Sequence, residues 1–227
     1  MLWDGCVNVR DLGGLPLEAG GETRFGVAVR ADSIRTLTDE GWRSLADYGV
    51  RLAVDLRGDD ELADDPPGDT EIEVQREPVP GATVPIVWEW PSMLVAYRGL
   101  LEHFAPRFAA AVTAVARSRT PVVIHCQGGR DRTGLASALM LRLAGVPLDV
   151  IAADHALSDV NWAPQREQWL ADAADDRERE RRRRVIEPAG ETMAHVLEGL
   201  DVREYLRSGG AEDGVLDTLV VRLRPWS

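Results

Sequence analysis

The chain predicts an α/β fold, a central, mostly parallel sheet flanked by helices and followed by a helical C-terminal region. Three observations carry that expectation. The β-branched run Val122-Val123-Ile124 passes through Gly128-Gly129 into an apolar helix over 135–141 closed by Gly145. A strand pattern over 25–32, a helix and a second strand pattern over 50–57 form a β-α-β unit, which implies parallel pairing. From residue 92 onward the remaining periodicity is helical, with no internal repeat. With 227 residues and 44% hydrophobic content, one well-buried domain over 1–227 is expected.

Each element has its own signal. Asn8-Val9-Arg10-Asp11-Leu12-Gly13-Gly14 is a polar cluster ending in a turn, and Phe25 to Asp32 reads as a strand leaving into a loop. Thr38 can cap a helix whose apolar side holds Trp42 and Leu45 and which Gly49 stops. Asp55-Leu56-Arg57 then falls at the carboxyl end of the second strand, where ligands collect in open α/β sheets. Residues 58–71, acidic and proline-containing, read as an exposed loop to which no chemistry is assigned. A strand near 72–79 precedes an irregular, aromatic stretch over 80–91. Helices are expected over 92–104 and 106–117, the second opened by Pro106. Another begins at 147–157, with His155 on its surface, and breaks at Asn161-Trp162-Ala163-Pro164. Residues 165–186 place acids early and arginines late, which suits a solvated helix and its dipole. Two amphipathic helices, 192–206 and 211–223, complete the chain.

The chemistry concentrates where the strand at 122–124 meets the helix. Gly128-Gly129 can turn the loop's amides inward toward the free N–H groups of the helix, making an anion site. Arg132, at the helix entrance, can grip two phosphate oxygens, and Cys126 lies at the base of the cup. Those donors favour a thiolate, hence a nucleophile. The rival reading, a small buried cysteine beside glycines that merely turn the chain, must explain Arg130, Asp131 and Arg132 set consecutively against a helix dipole with no anion bound.

His125-Cys126-x5-Arg132-Thr133-Gly134 resembles the loop of the cysteine-dependent tyrosine and dual-specificity phosphatases. The fuller stretch from His125 to Gly134 is most similar to a bacterial branch that includes a secreted mycobacterial enzyme, whose loop reads His-Cys-x-x-Gly-Lys-Asp-Arg-Thr-Gly. Arg130 stands where that branch has lysine, the residue associated there with activity on phosphoinositides. Asn8 to Gly14 and Arg30-Ala31-Asp32 match further signatures of the branch.

The resemblance implies a tyrosine-phosphatase-like fold and hydrolysis of a phosphomonoester in two steps through a phosphocysteine. It implies Cys126 as nucleophile, Arg132 as phosphate clamp and Thr133 as donor to the sulfur. Gln127, Gly128, Gly129, Arg130 and Arg132 would bind phosphate. His125, Arg10, Asp11, Asp32, Asp55 and Arg57 would support the loop, with plain ion pairing as the alternative. Relatives often supply a general acid from an aspartate in the loop after the strand near 72–79, but no aspartate occurs between Gln75 and Ser118. Asp131 is therefore preferred as acid and base, with Glu89, or a leaving group that needs little help, as the alternatives. Relatives also fold helices over the site, so 164–208 is a second reading of the C-terminal region, as a lid.

Phosphotyrosine-like esters are the expected substrates. The alternatives are a small-molecule phosphatase acting on a nucleotide, sugar phosphate or phosphoinositide, a sulfurtransferase, and a phosphate-binding module without catalysis. A sulfurtransferase loop ordinarily lacks the x5 spacing and the Arg-Thr-Gly exit. The partner is a phosphorylated protein or a small phosphate ester, and no cofactor or metal is expected. A net charge of −12 argues against nucleic acid or an anionic membrane as partner. No run approaches the ~18 apolar residues of a membrane span. The start lacks a signal-peptide pattern, so a cytoplasmic location is expected, with export by another route left open.

Overall fold

The computed structural model describes residues 2–64, 72–81 and 90–225. Its sheet has five strands in the order β1-β2-β5-β3-β4. These are β1 (Arg10–Asp11), β2 (Ala28–Ala31), β3 (Leu52–Asp55), β4 (Glu73–Arg76) and β5 (Val122–His125). Only β1 runs antiparallel to its neighbour; the other pairings are parallel. The expected β-α-β unit is present, but β5 inserts between its two strands.

Register decides where the site lies. Ala31 of β2 and Asp55 of β3 both pair with His125, so three parallel strands end level with one another immediately before Cys126. Loops leaving β2, β3 and β5 therefore meet at one carboxyl edge. The central strand is apolar on both faces because both are covered. Val122 and Ile124 pack with the larger helical core, whereas Val123 packs with Val29, Ala53, Leu45 and Trp3 on the opposite face.

Helix α1 (Asp39–Asp47) covers that smaller face, and Thr38 caps it by accepting from the Gly41 amide at 3.2 Å. The stretch expected to be a plain loop after β3 instead opens with a short helix, α2 (Asp59–Asp64). Acids in its first turn suit a helix N-terminus. The two helices expected over 92–117 are one bent helix, α3 (Met93–Arg117). Phe104 leaves helical geometry there and Pro106 follows, so the expected break survives as a kink. Phe108, Ala109, Val112 and Ala116 are buried in the core.

Helix α4 (Asp131–Ala144) follows the Cys126 loop and ends on Gly145 at φ 90°. Beyond it come α5 (Leu148–Asn161), α6 (Ala163–Ala171) and α7 (Asp176–Val185). The chain closes with α8 (Gly190–Leu197), α9 (Val202–Ser208) and α10 (Asp213–Leu223). One expected solvated helix over 165–186 is thus two, with Pro164 opening α6. The segment expected as a helix over 192–206 is also two, separated at Gly199, whose φ is 73°. Val196, Leu197, Val202 and Leu206 are core residues, so α8 and α9 belong to the body of the domain. Among the described residues of 164–208, those lining the cavity above Cys126 come from α6, α7 and Ile186 just after α7.

Candidate active site

Cys126 is almost fully buried at the end of β5. The loop after it can be tight because Gly129 adopts φ 64°, and a Cβ there would come 2.4 Å from the Ala31 carbonyl oxygen. Only glycine fits that turn against β2. Behind the loop, Arg30 Nη2 donates to the carbonyls of Gly129 at 3.0 Å and Arg130 at 3.3 Å, and Asn8 Nδ2 donates to that of Gly128 at 3.1 Å. Tying three successive carbonyls on one side leaves the loop's N–H groups to the other, where the N-terminus of α4 adds its own.

Those rear supports are themselves fixed. Asp154 of α5 receives Arg10 Nε at 2.7 Å and Arg30 Nη1 at 2.8 Å. Burial alone would raise the Asp154 carboxyl, but the two guanidiniums outweigh it and hold it below its usual value. Burial and the neighbouring Arg10 push Arg30 down to about 10, still a cation near neutrality. Asp32 accepts from the Val7 and Asn8 amides, both at 3.0 Å, and so holds the N-terminal signature against the loop. Asp11 does a different job: it accepts from the Gly13 and Gly26 amides at 2.6 and 2.9 Å and from the Tyr48 hydroxyl, fixing the turn before β2.

Arg132 lines the cup and is held from the side opposite the loop. Its two terminal nitrogens face the Glu61 carboxylate, Nη2 to Oε1 at 2.7 Å, and Nη1 also donates to the Val79 carbonyl at 3.1 Å. Glu61 accepts in addition from the Gly58 amide at 2.8 Å. Burial opposes the Arg132 charge, yet Cys126 and Glu61 together keep its pKa above the ordinary arginine value. The acidic stretch expected to carry no chemistry therefore supplies the partner of Arg132, the arginine expected to clamp phosphate. Its place four residues after Arg57 was the available signal, hidden among other acids.

Asp55 and Arg57 form a buried pair, Arg57 Nη2 to Asp55 Oδ2 at 2.8 Å, and His125 Nε2 lies 3.9 Å from Asp55 Oδ1. Burial pushes His125 down to about 4 despite that carboxylate, so the ring is neutral near pH 7. The Thr133 hydroxyl is buried without a hydrogen-bond partner among the described residues.

Arg130 is the expected phosphate-binding residue whose side chain is otherwise engaged. Its guanidinium donates to the Val185 and Glu187 carbonyls just after α7 and lies 2.8 Å from the Asp159 carboxylate. Glu89, the alternative acid, falls outside the described residues. Asp131 opens α4 and lines the cup, with Oδ1 accepting from the Tyr97 hydroxyl at 2.5 Å. His155, expected on a helix surface, is buried instead, with Nε2 3.1 Å from that hydroxyl. Only the burial of α5 against α3 and α4 reveals it; its sequence pattern does not.

The cup opens into a cavity of about 190 Å³ walled by Trp90, Met93 and Tyr97 on one side and by Trp162, Trp169 and Ile186 on the other. Arg166, Arg181 and Arg184 reach it from α6 and α7.

A cysteine at a strand end, backed by a glycine turn and faced by an arginine at a helix start, invites comparison with known proteins. The tyrosine phosphatase family model matches residues 1–224. The chain belongs to the tyrosine phosphatase family. Among curated relatives, a tyrosine-protein phosphatase of Nostoc commune is 34% identical over 139 residues, 57% of this chain and 47% of that one. The triple specificity protein phosphatase PtpB of Mycobacterium tuberculosis is 48% identical over 48 residues, 21% of this chain and 17% of that one. Each match thus spans less than half the relative's length. Among solved structures, the Siw14 catalytic core aligns at TM-score 0.45 with 17% identity, covering 86% of this chain and 91% of that one. TpbA of P. aeruginosa aligns at 0.40 with 17% identity, covering 80% and 85%. Family membership rests on the sequence model. Among the described residues, no helix is long and apolar enough to cross a membrane.

Proposed function

We propose that this member of the tyrosine phosphatase family hydrolyses phosphomonoesters of the phosphotyrosine type through a phosphocysteine on Cys126. One observation carries the reading: the Cys126 sulfur sits at the floor of a cup between the start of α4 and an arginine, Arg132, that Glu61 holds in place. The thiolate attacks phosphorus while the amides from Gln127 to Arg132 and the Arg132 guanidinium hold the equatorial oxygens. As the phosphorus–oxygen bond breaks, its electron pair stays on the leaving oxygen, which takes a proton from Asp131. Asp131, now a carboxylate, takes a proton from the water that attacks phosphorus, the phosphorus–sulfur bond breaks, and the Thr133 hydroxyl donates to the departing sulfur.

The aromatic walls favour an aryl ester over a small polar one, because a phenyl ring can be stripped of water against Tyr97, Trp162 and Trp90. Helices α6 and α7 act as the cover of that pocket, and substrates are phosphorylated proteins bearing phosphotyrosine. Two free thiols fit a reducing compartment, and the cytoplasm is the proposed setting. Cys126→Ser, whose hydroxyl is a far poorer nucleophile, is expected to abolish turnover of p-nitrophenyl phosphate with thermal stability retained; full activity in that variant would sink the proposal.

A further inference from the structure

Behind Asp131 lies a buried polar chain that the two chemical steps do not use. Tyr97 projects from α3 to Asp131 Oδ1, and on its other side its hydroxyl meets Nε2 of His155 from α5. The Tyr97 and His155 rings stand edge to face at 5.8 Å and 86°. One chain of contacts thus links α5 through α3 to the carboxylate on α4. Room for the histidine is made by Gly134 in the first turn of α4, where a Cβ would come 2.5 Å from the imidazole.

The protons of this chain can be assigned from its chemistry. Burial, then the guanidiniums of Arg30, Arg130 and Arg10, hold His155 well below its usual value, so it is a neutral ring with one N–H. Burial and Asp131 hold Tyr97 well above its usual value, so its hydroxyl keeps its proton. Nδ1 of His155 has no partner among the described residues. A stranded N–H costs more than a bare lone pair, which puts the ring's proton on Nε2. Nε2–H then donates to the tyrosine oxygen, and the single Tyr97 proton is committed to Asp131.

We propose that Tyr97 and His155 are positioning residues for Asp131, fixing its Oδ1 so that Oδ2 is the oxygen that gives the proton to the leaving group and later accepts one from water. This rests on the reading of Asp131 as acid and base. A positioned acid matters most when the leaving group is poor, because a good one departs without a proton. The relay therefore acts on leaving-group selectivity, which a purely structural role would leave alone.

The test compares kcat/KM for phenyl phosphate and 2,4-dinitrophenyl phosphate in Tyr97→Phe, His155→Leu, His155→Gln and Asp131→Asn. Tyr97→Phe and His155→Leu are expected to raise the preference for the dinitrophenyl ester by roughly tenfold, the scale of one charge-assisted hydrogen bond. His155→Gln is expected to restore most of the lost selectivity, since its amide N–H can donate to the tyrosine. Asp131→Asn is expected to raise the preference further than either. If Asp131→Asn slows both esters equally, the acid assignment fails and the relay with it. If Asp131→Asn changes selectivity while Tyr97→Phe and His155→Leu slow both esters equally, the relay alone is overturned.

Discussion

His125 and His155 are carried into the interior as neutral rings, and that choice has a thermodynamic consequence. In the folded chain His125 titrates at about 4, against 6.5 for an exposed ring, and His155 is displaced in the same direction. A group depressed on folding gives stability that is complete above its unfolded value and is lost as pH falls toward its folded one, because the unfolded chain takes up the proton first. Between about pH 7.5 and about pH 5 the His125 ring alone accounts for a loss on the order of 2 kcal/mol. Urea midpoints are expected to fall across that interval, and His125→Asn to show a shallower slope; equal midpoints at both ends would contradict the neutral assignment. Of the residues proposed for the site, Cys126, Arg132, Asp131 and Thr133 could be named from the sequence because their spacing is local. Glu61, Tyr97 and His155 were not, because each reaches the site from another element and looks ordinary in its own. His155 shows why: a single histidine on an amphipathic helix reads as surface until the neighbours that cover it are known.

At the level of elements, the loop and its cover are tied by one arginine. Arg130 spends its planar fork on the carbonyls of Val185 and Glu187 and on Asp159, so it joins the Cys126 loop to the end of α7. Lysine offers a single point of charge and cannot hold both carbonyls in that geometry. Arg130→Lys is expected to speed amide hydrogen exchange across α6 and α7 by roughly tenfold, about one charged hydrogen bond, while exchange in β5 stays put. Unchanged exchange in α6 and α7 would remove the clasp. Apart from β1 and α2, read as a turn and a loop, helix and strand types were readable from periodicity, and so were the caps at Thr38, Gly49 and Gly145. Boundaries were less so where a helix bends without ending, as at Phe104, or ends without a strong breaker, as between α6 and α7. The order of strands was beyond the sequence, since the insertion of β5 between β2 and β3 is decided by which apolar faces the helices can cover.

Over the whole molecule, a chain of net charge −12 gathers Arg130, Arg132, Arg166, Arg181 and Arg184 around one cavity. Glu61, Asp131 and Asp159 line the same cavity, so the positive excess there is local, set at the level carboxyl ends of β2, β5 and β3. In the proposed reading, fold, loop and cover all serve one event, transfer of a phosphoryl group to the Cys126 sulfur. The most direct measurement is mass spectrometry of the intact protein after rapid acid quench with p-nitrophenyl phosphate. The account predicts one added phosphoryl group, mapping to the peptide that contains Cys126 and absent from Cys126→Ser. Turnover with no phosphorylated protein at any quench time, or a phosphoryl group on another residue, would contradict it.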